Sequence, residues 1–310
     1  MIGPRAAALS ALLLLVALPG AASAAACCIG SVGASGARLG PCETIRLGGS
    51  WTLDALAGSW RQDGSLNPAS SSGRVDQRFV AEGRFRVDDR FQVGFAMPIV
   101  LSARRVLDDA ELGAGPGDLT LSLRLEPAVE PIAPAPQPAF GLDVLLPTGV
   151  PQHAAQGVTG AWATGAGHLA FTPSLWLGRT FGKGSFEVVG DATFSAPSPA
   201  DGGRAIPGIA WSATALGGLF VHHSTTLSVS LGLRGRSPGW VGGKAAGTPS
   251  VEPRVGVGAA FKVGRDLRLL VGVAGSLPIP QLGRSSDATI GGTLGLAWLT
   301  RKPWSMLIEG

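Results

Sequence analysis

Four histidines, His153, His168, His222 and His223, are the side chains of this 310-residue chain best suited to proton transfer near neutral pH. A hydrolytic site would need one of them beside a serine nucleophile and an orienting polar group. They fall in a long connection, at a strand start and in a short turn, where no serine–histidine spacing recommends itself. The carboxylate pairs Asp88-Asp89 and Asp108-Asp109 also fall in connections, where acidic side chains support turns. Asp201-Gly202-Gly203 and Gly242-Gly243 lack the strand-to-helix setting of a phosphate loop. The three cysteines, Cys27, Cys28 and Cys42, have no histidine nearby to complete a zinc site. No enzyme is expected, and neither a metal nor an organic cofactor is called for.

A different chemistry is written at every second residue. Asp76, Arg78, Glu82, Arg84 and Arg86 share one face of an alternating stretch, and Arg124, Asp143, Glu187 and Asp191 take the same face of later ones. Arg234, Arg254, Lys262 and Arg268 extend the pattern. Charges of both signs on many strands need pairing or solvation. The candidates for lining a water-filled lumen are Arg78, Glu82, Arg84, Arg124, Asp143, Glu187 and Asp191.

The elements that carry them number about twelve and run approximately over 44–60, 74–87, 90–102, 118–126, 139–146, 167–180, 185–195, 210–221, 225–234, 252–263, 266–276 and 288–299. Several reach ten residues, enough for a tilted strand to cross a membrane. Their other face is apolar: Leu119, Leu121, Leu123 and Leu125 alternate with Thr120, Ser122 and Arg124, and Val255, Val257, Ala259, Phe261 and Val263 repeat the pattern. A water-soluble sandwich would turn the leucines inward and the charges outward, whereas a membrane barrel does the reverse.

The connections decide between the two. They alternate long and short: 61–73 long, Asp88-Asp89 short, 103–117 long, the proline-rich 127–138 medium, 147–166 long, 181–184 short, 196–209 long, 222–224 short, 235–251 long, Gly264-Arg265 short and 277–287 long. Sorting loops by length onto two rims is the habit of an up-and-down outer-membrane barrel. An even strand count puts both termini on the periplasmic rim. Trp51, Trp176, Trp211 and Trp298 are the candidates for an aromatic girdle, with Trp298 the terminal aromatic of the last strand.

Composition agrees. Glycine occurs 47 times, charged residues make up only 15%, and mean hydropathy is +0.29, yet no apolar run after the N-terminus suits a membrane helix. Net charge is +4 without a basic run, so nucleic acid is not an expected partner. Arg5 followed by an apolar run to Leu18, then Pro19-Gly20 and Ala21-Ala22-Ser23-Ala24, reads as a cleaved signal peptide. An uncleaved anchor helix is the alternative. Cys27 follows small residues but lacks the leucine three places ahead that lipid attachment usually shows. In an oxidising compartment Cys42 could close a loop with Cys27 or Cys28. The expected organisation is therefore a signal peptide over 1–24, a cysteine-containing periplasmic segment over 25–43, an all-β, single antiparallel transmembrane barrel over 44–299 and an extension over 300–310.

Gly115-Pro116-Gly117-Asp118-Leu119 leading into an alternating strand, followed by Leu146-Pro147-Thr148-Gly149, resembles the outer-membrane barrels grouped as the "MetA-pathway of phenol degradation" family. The resemblance implies a barrel of about twelve strands that passes small organic molecules, with no catalytic residue to carry over. By their own physics both motifs mark the fold: glycines relax the backbone, Asp118 can cap the turn, and proline ends a strand. The Gram-negative outer membrane is the implied location, its lipids and assembly machinery the implied partners. The expected function is a passive channel or transporter for small molecules, hydrophobic or aromatic ones among them. The alternative is a plugged structural or adhesive barrel.

Overall fold

The computed structural model describes residues 39–40, 43–61, 63–69, 72–127, 135–200, 203–222, 224–278 and 287–301. From the N-terminus its strands are β1 (Glu43–Trp60), β2 (Leu66–Pro68), β3 (Ser72–Arg86), β4 (Phe91–Val106), β5 (Asp109–Pro116) and β6 (Leu119–Leu125). They continue with β7 (Gln137–Leu146), β8 (Ala170–Phe181), β9 (Gly184–Ser195), β10 (Ser198–Ala200), β11 (Gly203–Ile206) and β12 (Ala210–His222). The last six are β13 (Thr225–Arg236), β14 (Gly239–Val241), β15 (Lys244–Ala246), β16 (Ser250–Lys262), β17 (Leu267–Ser276) and β18 (Asp287–Arg301).

Twelve of these build a closed wall in the order β1-β3-β4-β6-β7-β8-β9-β12-β13-β16-β17-β18, each antiparallel to its neighbour. β18 pairs back onto β1 from Arg301 opposite Glu43 to Asp287 opposite Ser59. Closure removes the free edges that an open sheet would present in lipid, so the peptide groups of the wall are satisfied between strands. Among the described residues no helix is long and apolar enough to cross a membrane, so any crossing is made by strands.

Period-two alternation stays in phase around the wall. Arg46 stands opposite Arg84, Arg84 opposite Gly94, Gly94 opposite Ser122 and Ser122 opposite Asp143. One ladder further along, Ser174 faces Asp191, Asp191 faces Ser212, Ser212 faces Arg234 and Arg234 faces Glu252. The intervening residues, Leu121, Leu123, Leu125, Phe140, Leu175, Leu177, Val229, Leu231, Leu294 and Leu296 among them, are exposed on the other face. A soluble monomer rarely exposes an apolar patch beyond a few hundred Å². This one circles the barrel, which is the surface lipid demands.

Short connections collect on one rim. At 87–90 the Asp88 carboxylate accepts the N–H groups of Arg90 and Phe91, both at 2.7 Å, and Val263 closes its turn by donating to the Leu267 carbonyl at 3.0 Å. Long connections collect on the other rim, and several of them carry strands among the described residues that their sequence does not suggest. The expected loop over 103–117 is instead a hairpin: β4 continues to Val106, turns at Leu107-Asp108 and pairs with β5 from Val106–Asp109 to Ile99–Pro116. β5 and β6 follow one another along β4, offset by a single residue at Gly117-Asp118, where the Gly117 N–H reaches the Pro98 carbonyl at 2.8 Å. This offset is a β-bulge, and the Gly-Pro-Gly-Asp motif supplies it. Two other outer connections pair with each other in a small sheet, β10-β11-β14-β15, joined through Ala205–Val241 and Ile206–Trp240.

The expected signal peptide, the three cysteines, His223 and most of the C-terminal extension lie outside the described residues. The wall itself ends at Arg301, two residues beyond the expected boundary.

Candidate functional site

Because alternation stays in phase along the ladders that carry them, all seven candidate residues fall on the face opposite the exposed leucines, the interior of the barrel. They do not form one cluster. Arg84 and Arg124 are buried, Glu82, Asp143, Glu187 and Asp191 are half-buried, and Arg78 is exposed. Gly94, opposite Arg84, leaves room for the arginine stem: a Cβ there would come within 3.0 Å of Arg84 Cγ. Glu82 and Asp143 are its anionic neighbours and Arg46 a cationic one. Arg124 lies over the Trp176 ring, its guanidinium carbon 3.9 Å from the centroid. Trp176 is therefore no girdle residue. It pairs with Ala139 and Val189 on the interior face and is only 5% exposed, because its even number carries it away from Phe171, Leu175 and Leu177. Trp51, Trp211 and Trp298 stand on the outer face.

Towards the short-turn rim the interior face carries a floor, a buried cluster of charged side chains, that the candidate set did not include. Arg86 is its hub. Its guanidinium donates to the carbonyls of Gly40 at 2.9 Å, Leu39 at 3.3 Å, Glu43 at 3.0 Å and Asp89 at 2.9 Å, and to Glu126 Oε2 at 3.3 Å. Glu43 pairs with Arg46 at 2.9 Å and also accepts the Gly40 N–H, while the Leu39 N–H donates to Gln92 at 3.2 Å. Leu39 and Gly40 thus lie against the interior face of the wall. Arg46 shares the parity of Asp54, so alternation could have found both. Glu126 likewise shares the parity of Ser122 and Arg124 at the end of the stretch over 118–126, whereas Leu39 gave no such signal, since it lies before the first strand.

Towards the other rim a second charged group gathers. Arg254 reaches Asp54 at 3.7 Å and Glu252 at 3.5 Å, Arg74 reaches Asp76 at 3.4 Å and Asp287 at 3.6 Å, and the Ser212 hydroxyl donates to Asp191. Between the two groups the interior face carries small side chains, such as Ser50, Thr52, Thr214, Ser228, Gly256, Gly258, Ala274 and Thr293. The interior face thus carries two belts of mixed charge with small side chains between them.

No protein-family model and no curated protein sequence matches the chain. Among solved structures it is similar to an outer membrane channel from Pseudomonas putida F1, with a TM-score of 0.70 and 15% identity over 87% of this chain and 100% of that one. The fold is that of an outer-membrane β-barrel. At lower similarity stand the beta domain of the Bordetella autotransporter BrkA (TM-score 0.49, 10% identity, 82% of this chain and 100% of that one) and the KdgM porin (0.45, 8%, 81% and 98%).

Among the described residues the histidines fall in connections and at a strand end. His153 lies in a short helical turn of the connection after β7, and exposed His222 contacts the Ser224 hydroxyl at 2.9 Å at the short-turn rim. The sequence also contains one nucleophile-like spacing, Gly235-Arg236-Ser237-Pro238-Gly239. There the chain runs from β13 into β14 rather than into a helix, and the Ser237 hydroxyl accepts the Ile209 N–H at 2.9 Å, a loop brace and not a nucleophile elbow.

At the outer mouth Glu111, in β5, accepts Val158 N–H at 2.9 Å, Thr159 N–H at 3.2 Å and the Thr159 hydroxyl at 2.6 Å. The Thr159 hydroxyl above all, then the Val158 N–H, holds its carboxyl below the ordinary range. A depressed folded-state value means that the attachment is at full strength above the ordinary glutamate pKa of about 4.3 and is lost as pH falls through the lower folded value. The Val158 and Thr159 amide resonances should therefore hold steady from neutral pH down to that range and shift below it. In Glu111→Gln that acid transition should vanish. A transition that survived the substitution would assign it to another group.

Proposed function

We propose that the protein is a passive outer-membrane channel through which small solutes diffuse, entering among the long connections and passing Arg78, Glu82, Arg84, Arg124, Asp143, Glu187 and Asp191. The observation that carries this reading is the pairing of a lipid-type outer face with charges of both signs on the interior face of a closed twelve-strand barrel. The small side chains between the two charged belts suit a route for solute. No energy-coupling motif stands in the sequence, which suits movement down a gradient. Export by a signal peptide over residues 1–24 and insertion by the outer-membrane assembly machinery belong to the same proposal.

Conductance of the purified chain in planar bilayers, with liposome swelling against small sugars and small aromatic solutes, tests it. Discrete unitary steps are expected. Arg84→Glu replaces a buried cation by an anion beside Glu82 and Asp143, so the reversal potential in a salt gradient should move toward cation preference. A folded, heat-modifiable barrel with neither conductance nor uptake would sink the channel reading in favour of a plugged or structural barrel.

A further inference from the structure

The long connection between β7 and β8, residues 147–169, does not project from the barrel. It lies against the inner side of the wall. On β5 the residues opposite inward-facing Arg104, Ser102 and Val100 are Glu111, Gly113 and Gly115, and each of these meets the connection. A Cβ on Gly113 would overlap the Ala161 carbonyl, and one on Gly115 would touch Thr164 Cγ2 at 3.3 Å. A Cβ on Gly117 would come to 3.2 Å from the Thr164 carbonyl oxygen and 2.8 Å from Cγ of inward-facing Pro98. Ala161 is fully buried, and Val100 and Ser102 beneath the same seat are buried too. Since Cβ directions define the face of a strand, contact along them places the connection inside.

The seat is bolted at both ends. Near its middle the connection hangs from the Glu111 carboxylate, with Gly157 and Gly160 at positive φ supplying the turn. At its roots Asp118 accepts the N–H groups of Gly149 and Ala166. The Thr148 hydroxyl donates to the Gly117 carbonyl at 2.8 Å and accepts the Leu119 N–H, and the Thr164 hydroxyl donates to the Pro116 carbonyl at 2.7 Å and accepts the Val150 N–H. The Gly-Pro-Gly-Asp-Leu and Leu-Pro-Thr-Gly stretches are therefore two halves of one clamp. Asp118 bridges to a distant segment instead of capping its own turn.

We infer that residues 148–166 form the size-selecting constriction of the channel, an inward-folded segment seated on the glycine face of β5 and fastened by Glu111 and Asp118. This rests on the channel reading above and adds the element that sets its cut-off. The segment offers Trp162, Val158 and Val150, all exposed, at the mouth, so a solute entering there meets an apolar, uncharged border before it reaches the charged belts.

A reversible lock tests this in one folded chain. The ideal Cβ of Gly115 lies 3.9 Å from Thr164 Cβ, within the spacing a disulfide spans. The test protein combines Glu111→Ala with Gly115→Cys and Thr164→Cys, with Cys27, Cys28 and Cys42 changed to serine, and heat-modifiable migration checks its fold before and after reduction. Reduced, it should conduct severalfold more than the unmodified chain and admit larger oligosaccharides in liposome swelling. Oxidised, it should return to the unmodified conductance and cut-off. A silent unmodified chain beside a conducting reduced variant would support the constriction in its strongest form. If the unmodified chain conducts and the variant shows one conductance and one cut-off in both redox states, the constriction is overturned and the channel stands. If every folded form is silent, the channel reading falls and the constriction with it.

Discussion

Leu231→Arg is expected to cost the folded barrel about 2–4 kcal/mol in a bilayer, the magnitude for a cation on the lipid face near the midplane. Leu231 sits midway along β13, outward and 53% exposed, opposite Ala215 on β12 and Val255 on β16. The neighbouring Ser230→Arg faces inward beside Gly256 and should change stability by less than about 1 kcal/mol, since water and the mixed-charge belts can receive it. Urea unfolding in lipid vesicles, followed by tryptophan fluorescence, gives both values. The contrast between adjacent positions is the useful quantity, because only the identity of the solvent on each face distinguishes them. Equal costs would mean the same solvent on both faces, which contradicts a membrane barrel.

Arg86→Ala is expected to lower stability by about 3–5 kcal/mol, as removing one partner of a buried ion pair does. The Arg86 and Glu126 side chains are 2% and 0% exposed, so the truncation takes the guanidinium away from a fully buried carboxylate in the floor. It also frees the carbonyls of Leu39, Gly40, Glu43 and Asp89 from the guanidinium. Arg86→Lys keeps the charge but offers three donors from one atom, which cannot reach so many acceptors in several directions. It should recover part of the loss and no more. Arg86→Ala together with Glu126→Gln should be less costly than the single truncation, because the buried negative charge goes with the positive one. If Arg86→Ala unfolds at the same urea concentration as the unmodified chain, the floor contributes nothing to the fold.

The wall was legible because its physics is local. Each strand announces itself by alternation, and the face of every residue follows from parity alone, so Arg84, Arg124, Asp143 and Asp191 could be assigned to one side without knowing which strand pairs with which. The order of long and short connections likewise needs only chain-neighbour hairpins. Boundaries failed where local sequence is ambiguous. Ala103 to Gly117 carries arginines, acids and glycines that read as a loop, but pairing with β4 extends it into a hairpin whose hydrogen bonds no local pattern reports.

What the residues determined by themselves is therefore the membrane barrel: strand number, alternation, the lipid face and the charged face follow from a period of two. What only the tertiary structure decided is which of those groups meet. Arg86 reaches Gly40 and Glu126, Glu111 reaches Thr159, and Asp118 reaches Gly149 and Ala166, partners separated by 46, 40, 48, 31 and 48 residues respectively. Such contacts depend on barrel closure and on where a long connection folds back, and periodicity carries information about neither. The two glycine-containing motifs stand out in the sequence, but their joint use as a clamp becomes visible only once β5 and residues 147–169 are brought together on the inner wall.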